Sequence, residues 1–319
     1  SRGSLELVSA GKTKVDVRRG GRTSATLQPT SEYDRRYDQI RCFTLLPDNQ
    51  AAVGADFGLW LYDSRTGERI RECVGHTGVI WNLAPSPDGR FLLSASGDMT
   101  LRLWDLHAPG DGPLEPLLSL FFRWHDWIAW TPQGYYAASP GGERLMGWHV
   151  NNGRDQLASF YPAAQFRKQF YRPDVSKLLL RTGSVERALE AAGDREVVTD
   201  VAKNLPPVVS IVSPQGPTVS TAGDKIEVTV SATQVGRNPI TSLQLLVNGR
   251  PLGGAGGLVR LDGSSPSPRH TFTVPLLSGA SYVLQARADS DVSYGLSKTL
   301  EVNVQSSTPE TVLPSLYVL

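Results

Sequence analysis

Two cysteines among 319 residues leave this chain without a disulfide framework, and Cys42 and Cys73 lack the paired spacing of a zinc site. Both fall in strand-like runs and read as buried free thiols. Net charge is equally scarce: 32 basic and 31 acidic residues leave +1, which argues against nucleic acid or a membrane surface as a partner. The one basic concentration, Arg18-Arg19-Gly20-Gly21-Arg22 with Arg35-Arg36 beyond it, reads as a hairpin turn with solvated flanks. No long hydrophobic run marks a signal peptide or a membrane span, and with reduced cysteines this points to the cytoplasm.

Catalytic signatures are missing too. The chain has no Gly-x-x-x-x-Gly-Lys-Ser/Thr loop, no His-Glu-x-x-His helix and no Gly-x-Ser-x-Gly elbow. Gly253-Gly254 and Gly256-Gly257 lack the strand-before, helix-after setting of a nucleotide site, and Asp289 with Asp291 reads as a solvated surface turn. No catalytic residue, cofactor or metal is expected, so these residues are read as non-enzymatic.

What the sequence does contain is a segment that nearly repeats three times. Leu46-Pro47-Asp48-Asn49 leads to Leu61-Tyr62-Asp63, Ser86-Pro87-Asp88-Gly89 to Leu103-Trp104-Asp105, and Thr131-Pro132-Gln133-Gly134 to Gly147-Trp148-His149. The aromatics at 62, 104 and 148 stand 42 and then 44 residues apart, the period of a propeller blade. Short alternating runs and Pro-Asp/Gln-Asn/Gly triplets supply strands and tight turns.

Gly75-His76, Ser86-Pro87-Asp88-Gly89, Leu93-Ser94-Ala95-Ser96-Gly97-Asp98 and Leu103-Trp104-Asp105 together resemble one complete WD repeat. The resemblance implies a buried tetrad of His76, Asp98, Trp104 and either Ser94 or Ser96, with Ser94 preferred. The other two copies end in Tyr62-Asp63 and Trp148-His149 and lack a Gly-His of their own, so their tetrads are expected to be incomplete. Three blades do not close a ring of about four to eight. Missing blades are therefore expected from the same or another chain, and the segment, which starts at Ser1 and ends on the apolar Leu316-Tyr317-Val318-Leu319, reads as an internal portion of a longer protein.

After the third copy the period changes. Pro162 opens a helical stretch with Phe166 and Phe170 on one face, and Pro173 opens another with Val175, Leu178 and Leu179. Thr182-Gly183-Ser184 interrupts it, and Ser184 can cap a last helix that Gly193 ends. From Pro206-Pro207 onward, seven strand-like runs follow near 208–213, 225–233, 240–248, 257–262, 269–276, 281–288 and 297–304, with a hairpin signal at Asn248-Gly249. That many short alternating runs suit an immunoglobulin-like sandwich.

A second resemblance rests on the run from Trp127 to Gly142, Gly147-Trp148-His149-Val150-Asn151 and Phe170-Tyr171-Arg172-Pro173-Asp174. It is similar to large bacterial proteins that join WD repeats to a caspase-like peptidase, often through an immunoglobulin-like linker. The resemblance implies a peptidase beginning near Ser315. Such a peptidase needs a His-Gly base and a catalytic Cys, and none of His76, His107, His125, His149 or His270 precedes a glycine.

The fold class expected is mainly β: a partial WD-repeat β-propeller of about three blades, a short helical brace and an immunoglobulin-like β-sandwich. Its parts are 1–40 (N-terminal strands or the end of a preceding blade), 41–161 (blades), 162–205 (helical linker), 206–307 (sandwich) and 308–319 (a lead-in strand). The function expected is a non-catalytic protein-interaction scaffold, the sensing or regulatory portion of a larger multidomain bacterial protein. The alternative is part of a caspase-like cysteine peptidase whose catalytic domain lies beyond Leu319. A protein partner would use the propeller face, and Trp124, Trp127, Tyr135 and Tyr136 are the candidate contacts.

Overall fold

The computed structural model describes residues 4–29, 39–194, 201–253 and 257–306. Arg35, Arg36, Gly254, Gly256 and the 308–319 segment lie outside the described residues. The chain forms two compact units, Ser1–Gly147 with Phe170–Thr199 and Trp148–Gln169 with Asp200–Leu319. The helical stretch is thus divided between them, where the sequence suggests one continuous brace.

The first unit is a stack of three antiparallel sheets. The first holds β1 (Leu5–Ser9), β2 (Val15–Arg19) and β3 (Arg22–Leu27), and the second holds β4 (Ile40–Leu46), β5 (Gln50–Ala55), β6 (Leu59–Asp63) and β7 (Arg69–Cys73). The third runs in order through β8 (Ile80–Pro85), β9 (Phe91–Ser96), β10 (Thr100–Asp105), β11 (Leu118–Arg123), β12 (Asp126–Trp130) and β13 (Tyr136–Ala138). Period-two alternation gives the middle sheet two buried faces. Val15, Val17 and Leu27 pack on its Ala51, Val53, Trp60 and Tyr62, while its Ala52, Leu59 and Leu61 pack on Ile80, Leu92 and Trp104 of the third sheet.

The outer face of the first sheet is polar apart from Val8, which pairs with Asp16. Glu6, Asp16, Arg18, Thr23 and Thr26 share it, and Asp16 accepts hydrogen bonds from the hydroxyls of Thr23 and Thr26.

The third repeat copy does not build a sheet of its own. β11 and β12 are joined by a two-residue turn, Trp124-His125, with Arg123 paired to Asp126. So short a link returns the chain to its own neighbour and cannot carry it across to a new layer. β12 and β13 extend the third sheet to six strands, and Trp148-His149 falls instead in β14 (Gly147–Val150), which pairs with β15 (Ser159–Pro162). The first unit is completed by α2 (Pro173–Thr182) and α3 (Val185–Ala191), with α1 (Arg167–Phe170) just before them. Proline opens α2, Gly183 at φ 73 ends it, and the Ser184 hydroxyl accepts from the Arg187 N–H at the start of α3.

In the second unit two sheets enclose one core. β16 (Val208–Ser213), β18 (Lys225–Thr233) and β22 (Arg269–Pro275) form one. β17 (Thr218–Thr221), β25 (Leu300–Val304), β23 (Ser281–Ser290), β19 (Ile240–Val247) and β20 (Arg250–Pro251) form the other, with β21 (Leu258–Arg260) beside β19 and β24 (Tyr294–Leu296) beside β23. Val228, Val230, Leu243, Leu245, Phe272, Leu284, Ala286 and Val302 fill the space between. Asn248 and Gly249, both at positive φ, make the hairpin turn into β20. Of the 289–293 stretch, Asp291 is exposed in a bend, as a solvated turn suggests, but its neighbours are not. Ser290 and Ser293 are buried and bonded to each other, and Asp289 is held by Arg287 and Lys168.

The second and third sheets approach closely at Gly54. A methyl there would lie 2.7 Å from Cys42 Sγ and 2.7 Å from Ile80 Cγ2. Gly54→Ala is expected to destabilise the first unit by about 1–3 kcal/mol, read from the denaturant midpoint. An unchanged midpoint would mean that the two sheets are not in contact there.

Candidate functional site

Four side chains of the second repeat meet in one hydrogen-bonded relay. His76 comes from the loop before β8, Ser94 from β9, Asp98 from the β9–β10 turn and Trp104 from β10. Trp104 Nε1 donates to Ser94 Oγ at 2.8 Å, Ser94 Oγ lies 2.7 Å from His76 Nε2, and His76 Nδ1 lies 2.8 Å from Asp98 Oδ2. Chemistry fixes the direction. The Asp98 carboxylate only accepts, so the ring proton sits on Nδ1; the neutral ring's Nε2 then accepts from the Ser94 hydroxyl, whose oxygen accepts from the indole N–H. The imidazole edge also meets the Trp104 ring at 5.9 Å.

Asp98 ends the relay and organises the turn. It accepts from Thr77 N–H at 3.1 Å, Thr100 N–H at 2.9 Å and the Thr100 hydroxyl at 2.6 Å. Burial alone would raise its pKa, but the hydrogen bonds from Thr100, His76 and the two amides outweigh it and hold the carboxyl well below the usual carboxylate range. Burial lowers the His76 pKa against the opposing pull of Asp98, so the ring is neutral near pH 7, as the relay requires. Between the two serines that the sequence offers, Ser94 joins the relay. The Ser96 hydroxyl donates to Gly78 O and accepts from Asp98 N–H, securing the turn.

The first copy has no such relay because its counterpart of Ser94 in the strand register is Val53, which carries no hydroxyl. Tyr62 takes the Trp104 position, buried against the first sheet. In the third copy, Trp148 packs at 4.8 Å on Phe166 in the second unit.

Asp105, the last residue of Leu-Trp-Asp, secures the opposite end of the third sheet. It accepts from Arg90 Nη2 at 2.9 Å, and Arg90 Nη1 reaches Leu180 O at the end of α2. Gly183 permits this approach: a Cβ would fall 2.4 Å from Arg90 Nη2 and 2.6 Å from Asp105 Oδ2. Arg90 is absent from the sequence-derived set, because nothing in the repeat pattern singles out the residue after a turn glycine.

The expected partner contacts divide. Trp124, in the β11–β12 turn, is 92% exposed, and Trp127 is partly exposed. Tyr135 and Tyr136 are 2% and 0% exposed and are not surface residues. The Tyr135 ring packs on Phe170 at 5.6 Å, Tyr136 meets Tyr171 at 5.5 Å, and the Tyr136 hydroxyl donates to the buried Glu143 carboxylate at 3.0 Å. Three exposed apolar residues missed by the sequence share the end of the stack with Trp124: Phe57 in the β5–β6 turn, Trp81 at the start of β8 and Met99 in the β9–β10 turn. Alternate turns of an antiparallel sheet lie at one end, and the Arg41 guanidinium 5.8 Å from the Trp81 ring joins the two sheets there. The available signal was an apolar residue in Asp-Phe-Gly and Asp-Met-Thr, at turn positions that polar residues usually fill.

The thiols are inert. Burial pushes Cys42 up to about 11 and Cys73 up to about 12, so both are protonated at neutral pH. Among the described residues no group of three or more His, Cys, Asp or Glu could hold a metal ion, and no helix is long and apolar enough to cross a membrane.

Residues 67–105 match the family described as WD domain, G-beta repeat. Nuclear distribution protein PAC1 of Arthroderma benhamiae is 46% identical over 56 residues, which is 18% of this chain and 12% of that protein. WD repeat-containing protein 1 of Mus musculus is 38% identical over 73 residues, 21% of this chain and 12% of that protein. The chain thus spans about an eighth of the length of these relatives. Neither bears on a bacterial origin or a peptidase. The solved structure of the computationally designed Ika4 protein is similar over 42% of this chain and 84% of its own, at 18% identity and a TM-score of 0.27. The second repeat of this chain is therefore a WD repeat by family as well as by pattern.

Ser94→Ala leaves both the Trp104 indole and His76 Nε2 without a partner and is expected to cost about 2–4 kcal/mol, more than Ser96→Ala, in a denaturation series. The titrations give a second expectation. Both folded pKa values are lowered, so their stability is present above the unfolded values, about 6.5 for His and 3.9 for Asp, and is lost as pH falls. Unfolding free energy should fall below about pH 6.5 and more steeply below about pH 4, and Asp98→Asn should flatten the lower limb. A profile flat from pH 7 to 3 would contradict the relay.

Proposed function

We propose that this chain is a non-catalytic protein-interaction scaffold whose first unit is part of an incomplete β-propeller. Further sheets, from the same polypeptide or another chain, cover the outer face of β8–β13. One pair of counterparts carries this reading. Leu59 and Leu61 are 0% and 2% exposed beneath the third sheet, whereas Leu101 and Leu103, 42 residues on, are only half-buried. Pairing across β9–β12 puts Leu93, Leu118, Leu120 and Trp127 on the same outer face. No charged side chain stands among these paired positions, and apolar area left in water costs about 25 cal/mol per Å².

Phe57, Trp81, Met99 and Trp124 supply a rim at one end of the stack, rich in the aromatic and methionine side chains that anchor protein interfaces. Residues 206–307 fit an immunoglobulin-like module that serves as a spacer or a further binding surface, on the strength of two sheets around one core. The order of these parts supports the sensing or regulatory portion of a larger protein. Peptide-bond hydrolysis is not proposed for these residues, whose two thiols are protonated and buried or half-buried.

A double variant, Leu101→Lys with Leu103→Lys, is expected to keep stability within about 1 kcal/mol, whereas Leu59→Lys, which buries an unpaired charge, should unfold the unit. A photoreactive benzoylphenylalanine at Leu120 should crosslink a protein in cells, and the lysine pair should abolish the adduct. Unfolding of the lysine pair, or an adduct that survives it, would overturn the docking face. Trp81→Ser with Trp124→Ser should weaken the crosslinked partner's binding by more than about tenfold without lowering the denaturation midpoint.

A further inference from the structure

The chain holds two Asn-Gly pairs, Asn152-Gly153 and Asn248-Gly249. Glycine has no Cβ to shield its nitrogen, so in such a pair the following backbone nitrogen can reach the asparagine side-chain carbonyl carbon and displace ammonia. Both pairs are exposed, and both glycines stand at positive φ, 96 and 76. Their surroundings differ.

Asn248 is locked. It sits at φ 50 in the two-residue turn between β19 and β20, its N–H donates to Val283 O at 2.8 Å, and its Oδ1 accepts from Val283 N–H at 2.8 Å. Side chain and backbone are thus both tied to β23, and the side-chain carbon cannot swing onto Gly249 N until that end of the β19–β23 ladder opens. Asn152 is held otherwise. It lies in the β14–β15 link, where residues 151–158 are all exposed and outside any strand. Its Nδ2 donates to Leu157 O at 2.7 Å and to Ser159 Oγ at 2.9 Å, so these bonds grip the nitrogen that would leave. Among the described residues the Asn152 carbonyl oxygen accepts no hydrogen bond, and the Gly153 N–H donates only to Asn151 Oδ1, at 3.0 Å.

We propose that Asn152 is a spontaneous deamidation site whose conversion unties the β14–β15 loop. Gly153 N, having given its proton to solvent, forms a bond to Asn152 Cγ; the Cγ–Nδ2 bond breaks, and the nitrogen leaves as ammonia with a proton drawn from water. One water molecule then opens the resulting succinimide at either carbonyl, leaving aspartate or isoaspartate at position 152. No electrons change hands, and water is the only co-reactant. The product is a carboxylate with no N–H for Leu157 O, so two acceptor oxygens face each other where a donor met an acceptor, and the tie across the loop is lost. The change is one-way and adds a negative charge to a loop that already carries Asp155. The site lies in the second unit and stands whether or not the first unit's outer face takes further sheets.

The test is timed incubation of the full chain in mildly alkaline and mildly acidic buffer, followed by peptide mass mapping. Asn152 should convert, and faster in the alkaline buffer, because the attacking nitrogen must lose its proton. Asn248 should convert at least about tenfold more slowly, since its turn must open first. Asn152→Gln, whose longer side chain disfavours the cyclic intermediate, should show no conversion in that peptide. In ¹⁵N relaxation, Asn152→Asp should give residues 153–158 greater mobility than they have in the fresh protein. Equal conversion of the two asparagines, no conversion at Asn152, or a mass gain that persists in Asn152→Gln would overturn the site. Unchanged relaxation in Asn152→Asp would overturn the untying.

Discussion

The first unit depends on a buried chain of protons that runs one way, from the Trp104 indole through Ser94 and His76 to Asp98. It ties a strand, a turn and an incoming loop at a single point, and each group in it finds a partner of the right polarity. The neutral state of His76 is what makes this possible. A protonated ring would have no lone pair for the Ser94 hydroxyl, and burial would cost its charge more than Asp98 returns. The surface follows from the relay, since Asp98 fixes the turn that presents Met99, and His76 fixes the loop that delivers Trp81.

The middle sheet solves the same packing problem without a serine-histidine relay. Where the third sheet has Ser94 and Trp104, the second has Val53 and Tyr62, and it is apolar on both sides of β6, with Leu59 and Leu61 facing one neighbour and Trp60 and Tyr62 the other. Removing a polar network together with its partners is energetically mild, whereas removing one member is not. That asymmetry makes the second sheet's apolar set, which lacks the whole relay, no defect in its packing.

The sequence made the second repeat legible down to its side chains, because Gly-His, the turn Asp and Trp-Asp stand at spacings that a blade imposes. The helix boundaries at Pro173, Gly183 and Ser184, and the Asn248-Gly249 turn, were legible for local reasons, since each residue has a backbone preference that needs no tertiary context. The third copy misled because its period of 44 residues measures spacing along the chain, while sheet membership is decided by the length of one turn, Trp124-His125. Tyr135 and Tyr136 misled for another reason. An aromatic side chain suits a core and an interface equally, and the helical segment that buries this pair starts more than thirty residues later. Arg90 and the rim residues Phe57 and Met99 sit in turns, where function depends on which end of a sheet the turn occupies.

The solvated outer layer of Glu6, Asp16, Arg18 and the two threonines on the first sheet has a directional consequence. A pile of layers wetted on one terminus and greasy on the other is a polar object, like a filament with one blocked tip. Under the proposed docking, further layers would be added at the leucine-bearing side, while the wetted side offers little apolar area to a neighbour.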